Sequence, residues 1–462
     1  MIYQHLFDRV KEKKVVRAAL IGSGHFGTAI VTQAQSIPLL EIPVIADRNI
    51  EAARRAYQHA GIIDKAIVVC DNRASALRAI ESGKFVIVED SMIAMELPVD
   101  VIVESTGVPE AAACHAYHAI ENGKHVVMIS KEMDVVIAPI LKHLADRAGV
   151  VYTPVDGDQH GVLIGLISWA RSLGLEVLCG GKARNAEFVH DEAKRIVSHG
   201  RHSVTLTEEE MWALNPISSG QADRYIKARR EISAKLPQIS NSDRGEMAIA
   251  MNATGLLPDT PTLHVPVVRI RELPEVLCPI EEGGILQVRG AIDAVTCLRS
   301  ANDSGLGGGV FVVVSCENDY SRDILTTKGL IPNSRGSTAL IYRPYHLCGV
   351  EAPISILCAG LLNVPTGSTT VQPLVDLVAK SKRAFKKGEI IDSELDALIT
   401  PAKPVTDGNP VPFYMLAGNQ FSQDIPAGTF ITCEMISQPS DSTLWSLRAQ
   451  QEAHFSVDHA NS

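Results

Sequence analysis

Val15-Val16-Arg17-Ala18-Ala19-Leu20-Ile21, followed at once by Gly22-Ser23-Gly24-His25-Phe26-Gly27, is the stretch on which the fold turns. The first seven residues carry one charge, Arg17, and have the length and β-branched content of a buried strand. Thr28 to Ser36 then reads as a helix ended by Pro38. Each glycine has a physical use in such a turn: Gly22 permits the tight bend, Gly24 lets the backbone approach a pyrophosphate, and Gly27 lets the helix pack close to the strand. The helix N-terminus offers free amides and a positive dipole end to phosphates, with Ser23, His25 and Phe26 beside them.

Working outward, Ile42 to Ala46 reads as a second strand ending in Asp47, 20 residues after Gly27. There a carboxylate accepts hydrogen bonds from an adenosine ribose, so the motif predicts a Rossmann dinucleotide site. Arg48 keeps the choice of NAD or NADP open, because a guanidinium beside Asp47 holds a 2′-phosphate or simply faces solvent. Strands at Lys84 to Glu89, Val101 to Glu104, His125 to Ile129 and Val150 to Thr153 alternate with helices at Asn72 to Glu81, Pro109 to Glu121 and about Val136 to Ala148. That alternation implies a doubly wound parallel sheet whose ligands sit at the carboxyl ends of its strands. Three exits there carry chemistry: Ser105-Thr106-Gly107 for the nicotinamide ribose, Lys131 as a candidate catalytic amine, and the Asp156-Gly157-Asp158-Gln159-His160-Gly161 turn. Their structural alternatives are helix caps, a surface charge and an Asx turn.

The chain has 462 residues, 46% hydrophobic and 21% charged, which suits more than one globular core. Its formal net charge of -10, without a long Lys/Arg block, argues against nucleic acid as a partner. Met1 to Lys14 lacks an apolar core of signal-peptide length, and no later run is long enough to span a bilayer, so a soluble cytoplasmic protein is expected. Nine scattered cysteines without close pairs read as reduced thiols; only Cys348 lies in a polar segment.

The expected architecture is α/β: a Rossmann domain over 1–156, an α+β substrate domain over 157–365, a small β-rich module over 366–445 and a polar tail over 446–462. In the middle, Pro266 to Ile270 and Gly309 to Ser315 read as strands, and Arg201 to Lys235 as exposed helices. Asp243 and Glu246 share a helix face at i, i+3, as acid/base candidates or as a solvated face. Tyr342 to Glu351 packs a guanidinium, two phenols, an imidazole and a carboxylate into ten residues. Within it Arg343 is a phosphate or carboxylate clamp or a surface ion-pair partner, and His346 an acid/base or a structural hydrogen-bond group. Asp156, Asp158, Asp243 and Glu246 could ligate magnesium or manganese, but no spacing compels a metal. A helix is expected over about Val371 to Phe385. Beyond it, Phe385-Lys386-Lys387-Gly388-Glu389-Ile390-Ile391-Asp392 and Gln423 to Thr432 share one form, a polar turn closed by glycine and then a short strand.

The phrases GSGHFG, ESTG, SKEMD, DGDQHG, EMAIAMNATGL and YRPYHL, with the paired KKGEIID and DIPAGTFIT, resemble homoserine-dehydrogenase-like oxidoreductases that carry a C-terminal SAF (β-clip) domain. One branch of them is similar to 1-deoxy-D-xylulose 5-phosphate reductoisomerase. The resemblance implies an NAD(P)-dependent enzyme of the EC 1.1.1 type, NADPH being favoured, and a small, phosphorylated substrate turned into 2-C-methyl-D-erythritol 4-phosphate for isoprenoid synthesis. It implies that Lys131 polarises the substrate oxygen, that Arg343 and His346 clamp phosphate or move protons, and that Asp243 or Glu246 acts as acid/base. Such domains commonly self-associate, so a homo-oligomer is expected. Two departures stand out: Ser130 replaces the asparagine that precedes the lysine in homoserine dehydrogenases, and their substrate-domain motif has only a faint echo in Gly181-Lys182-Ala183-Arg184. A dehydrogenase acting on another hydroxy acid, polyol or sugar phosphate therefore stays open, as does a cofactor-binding sensor without turnover.

Overall fold

The computed structural model describes residues 2–10, 14–391 and 394–460, so Lys11, Glu12, Lys13 and Asp392 lie outside the described residues. The chain forms two compact units, one of 1–161, 347–396 and 401–462, the other of 162–346 and 397–400. These divisions fall at 161 and 346, where the sequence reading placed boundaries at 156 and 365.

The first unit is built on seven parallel strands: β1 Val16–Ile21, β2 Leu40–Ala46, β3 Ile67–Cys70, β4 Phe85–Val88, β5 Val101–Glu104, β6 His125–Met128 and β7 Tyr152–Pro154. They lie in the order β3-β4-β2-β1-β5-β6-β7. β1 pairs with β2 on one side and β5 on the other, Ala19 opposite Val44 and Leu20 opposite Val103. The strand order reverses at β1, so its carboxyl end opens the crevice in which such sheets bind ligands. Val16, Ala18, Leu20, Ile45, Ile87, Val103 and Val127 are fully buried, which is why these strands read as near-continuous apolar runs. The last helix of the sheet begins at Lys131, five residues before the expected Val136, because Glu132 and Asp134 favour its first turn.

The C-terminal part of this unit corrects two expectations. The segment expected as a helix over Val371 to Phe385 contains instead the strand β18 Val375–Ser381, buried on both faces from Val375 to Ala379; Pro373 and the valines disfavour a helix there. β18 forms a two-stranded sheet with β19 Leu395–Pro401. The expected polar tail is helix Thr443–Ala460, anchored by buried Leu444, Leu447 and Arg448. Arg448 makes a bidentate pair with Asp376 at 2.6 and 2.7 Å, a partner too distant in sequence to be foreseen. The two similar phrases of the module pair with each other: Phe385 bridges Ile425, while Lys380 bridges Phe430 and Ile390 bridges Gln420. A constant offset of 40 relates the two halves, which is the signature of a local pseudo-twofold axis. Gly388 and Gly428 occupy equivalent left-handed positions, φ +82° and +78°.

The second unit is a mixed sheet of β8 Glu176–Ala183, β9 Phe188–Asp191, β10 Ile196–His199, β11 His202–Thr205, β12 Leu257–Pro258, β13 Val267–Val268, β14 Ala291–Ser300, β15 Val310–Ser315, β16 Ile331–Pro332 and β17 Thr338–Arg343. Central β8 lies between β14 and β15. The Pro266 to Ile270 strand shrinks to Val267–Val268, since a 3-10 turn follows at Ile270–Glu272. The charged stretch from 201 to 235 is not a run of exposed helices: it supplies β11, a 3-10 turn and helix Ala222–Ile232, whose Arg229 is buried on Glu272. None of the nine cysteines is in a disulfide, and Cys348 is half-buried. No helix among the described residues is long and apolar enough to cross a membrane.

Candidate active site

The three glycines of the first turn are required for three different reasons. Gly22 has φ +89°, and a Cβ there would lie 2.8 Å from the Ser105 carbonyl oxygen. At Gly27 a Cβ would come within 2.4 Å of the Gly22 oxygen, so the helix His25–Ala34 approaches the strand as only glycine allows. Gly24 differs: its backbone, φ -65° and ψ -165°, suits any residue, and a Cβ would meet nothing within 4 Å. No contact inside the protein calls for glycine at 24, and the space in front of it is what a pyrophosphate needs at a helix N-terminus.

Asp47, expected at a ribose, braces this loop. Its Oδ2 accepts from the Ser23 amide at 2.7 Å and the Ser23 hydroxyl at 2.5 Å, and Oδ1 from the Asn49 amide at 2.8 Å. The neighbouring Arg48 is exposed, as are His25 and Gly24, while Phe26 is half-buried. At the β5 exit, buried Glu104 accepts from the Thr106 amide and hydroxyl and lies 3.3 Å from the His115 ring, and the Gly107 amide donates to Ser130 Oγ at 2.7 Å. Ser105, Thr106 and Gly107 are thus held in one shape beside Gly22. Lys131, at the next exit, sits 3.9 Å from Asp158. The Asp156 amide donates to Ser355 Oγ, so that turn is braced by the returning chain of the same unit.

In the second unit the two acids expected on one helix do share a face. Helix Asn241–Thr254 starts at a capping box in which Asp243 Oδ2 accepts from the Ser240 amide and hydroxyl. Between Asp243 and Glu246 lies Lys182, only 1% exposed: its ammonium is 2.7 Å from Asp243 Oδ1 and hydrogen-bonds Glu246. Burial pulls the Lys182 pKa down, but Glu246 and Asp243 outweigh it and hold the amine above its ordinary value. Burial likewise raises that of Asp243, yet Lys182 and Ser240 bring it to about 2. Both groups therefore stay charged at neutral pH. Lys182 stands in the sequence only as a faint echo of a homoserine dehydrogenase motif, and it is the cation after Gly180-Gly181 in an otherwise apolar stretch of β8. Those glycines answer to packing, since a Cβ at Gly181 would lie 2.3 Å from the Asp293 carbonyl oxygen.

Arg343 and His346 are not among the partners of Lys182. His346 Nδ1 donates to the Gly308 carbonyl at 2.6 Å, and the Arg343 guanidinium lies 4.7 Å over the Tyr345 ring. Among the described residues no group of three or more His, Cys, Asp or Glu is arranged to hold a metal ion. A cavity of about 890 Å³ in the unit lies elsewhere, and there Arg289 pairs with Glu176 and Glu282.

Two family models match the chain. Residues 22–152 match the homoserine dehydrogenase NAD binding domain, and residues 239–352 the catalytic domain of oxidoreductase DRL. No curated protein matches in sequence. Among solved structures, biliverdin reductase from Synechocystis sp. PCC 6803 with biliverdin and NADP+ is 16% identical over 38% of this chain and 49% of its own, TM-score 0.25. A 3-ketoreductase from Actinomadura kijaniata with NADP is 17% identical over 37% and 49%, TM-score 0.26. DOX-P reductoisomerase with magnesium is 14% identical over 37% and 46%, TM-score 0.27. The chain spans less than half the length of each, and at these scores the likenesses bear on neither fold nor activity. The NAD-binding match coincides with the glycine cradle, which supports NAD or NADP as the cofactor held there.

Proposed function

We propose that the protein reduces the carbonyl of a small hydroxylated substrate with NAD(P)H, the first unit holding the cofactor and the second handling protons. The observation that carries this reading is the buried lysine held charged between two carboxylates, both of which lie inside the matched catalytic domain. A nicotinamide cofactor held at the glycine turn would supply hydride to the carbonyl carbon, and a lysine ammonium would give a proton to the oxygen. Lys182 or Lys131 supplies that proton, and the paired carboxylates orient the substrate hydroxyls. The specific reaction we favour is the reductoisomerisation of 1-deoxy-D-xylulose 5-phosphate to 2-C-methyl-D-erythritol 4-phosphate. Its support is the resemblance over the glycine turn, the helix bearing Asp243 and Glu246, and the two-copy SAF-like module.

The test is incubation of the purified protein with NADPH and that substrate, following the nicotinamide band at about 340 nm and the product by mass spectrometry. Matched loss of NADPH and gain of product is expected. An unchanged absorbance from protein that still binds NADPH rejects the substrate; absence of NADPH and NADH binding rejects the oxidoreductase reading itself.

A further inference from the structure

A second cavity of the second unit, about 220 Å³, is bounded by Arg230, Arg244, His264, Thr262, Ser233 and Gln238. Its floor is strained. Leu263 and Val265 adopt φ +59° and +46° on either side of His264, a conformation that is rare for any side chain and costly for a β-branched one. Buried Asp293 enforces it, accepting from the amides of His264 and Val265 at 3.0–3.1 Å. Such strain persists where the surrounding structure over-determines it, and it concentrates at ligand-contacting loops.

The walls are cationic, and the carboxylates nearby are already engaged. Asp243 is paired with Lys182, Asp259 with His264 at 2.6 Å, and Asp293 with backbone amides. Behind the wall, Arg184 is only 4% exposed; it donates to Thr296, Pro237 and Gln238, while its Nε has no hydrogen-bond partner among the described residues. Burial lowers its pKa, Asp243 raises it, and Arg244, a smaller influence, lowers it, so a second guanidinium group lies near Arg184 beside the cavity. Arg184 follows the end of β8, two residues after Lys182, and Arg244, which lines the cavity, is next to Asp243, so the cavity adjoins the lysine cluster.

We propose that this cavity binds an anionic group of the substrate, a carboxylate or a phosphoryl group, through Arg230 and Arg244 with His264 beside them. The inference rests on the reading of the second unit as the catalytic one. Inorganic phosphate and succinate are titrated calorimetrically, at constant ionic strength, into the full chain saturated with NADH so that the dinucleotide cradle is filled. At least one anion binds saturably, and Arg230→Gln and Arg244→Gln each weaken it tenfold or more with NADH affinity unchanged. Arg230 is exposed, so its variant keeps the fold. Phosphate binding better than succinate assigns a phosphoryl group, the reverse a carboxylate. Binding of neither anion, or binding that survives both substitutions, overturns the proposal. Should NADH itself fail to bind, the cofactor reading falls, and the same titration and variants without it still judge the cavity.

Discussion

Arg229 and Lys182 are both buried cations of the second unit, and their surroundings differ in kind. Arg229 uses all five of its donors: Nε on the Ala213 carbonyl, Nη1 on Val267 and Glu272, and Nη2 on Asn215 and Glu272. Glu272 in turn accepts from the amides of Ile217 and Arg269. Arg269 pairs with the same acid at 3.3 Å, so two guanidinium groups share one carboxylate. At Lys182 the ratio is reversed, one ammonium against two carboxylates.

The contrast can be broken in order of effect. Arg229→Ala leaves buried Glu272 with Arg269 as its one cation and should cost about 3–5 kcal/mol in urea unfolding, with NADH affinity unchanged; a loss below about 1 kcal/mol would remove the contrast. Lys182→Met should lower the steady-state rate by about 10²–10⁴ without a matching change in NADH binding, and it should also lower stability in urea unfolding because it leaves two carboxylates without their shared cation. An unimpaired rate would make that cluster structural too. The next effect is in acid. The Asp243 pKa of about 2 in the folded protein lies below its ordinary 3.8, so its contribution is complete above about pH 4 and disappears as pH falls toward 2. It amounts to about 2 kcal/mol, and unfolding measured from pH 5 to 2 should show it in the native chain and lose it in Asp243→Asn. The smallest change is expected at the exposed Lys386–Asp424 pair, where Lys386→Ala should leave the thermal midpoint unmoved.

What was legible in the sequence had local causes. The turn from Gly22 to Gly27, the strands beside it and the helix carrying Asp243 and Glu246 follow from contacts between near neighbours. Lys182 was not legible, because its meaning depends on acids 61 and 64 residues further along the chain. The same holds for Arg448, whose polarity made the C-terminal helix look like a loose tail although Asp376 buries it. The Val371 to Phe385 segment was misread because apolar spacing in a stretch buried on both faces suits a helix or a strand. Only the sheet partner decides between them.

The central claim is that Gly24 is glycine for the sake of a dinucleotide. Calorimetric titration of NADH and NADPH into the native chain and Gly24→Val tests it most directly, with the thermal midpoint measured alongside. The account predicts saturable binding to the native chain, an unchanged midpoint in the variant, and its binding weakened tenfold or more. Equal affinity in the two proteins, or no heat with either nucleotide in the native chain, would contradict it.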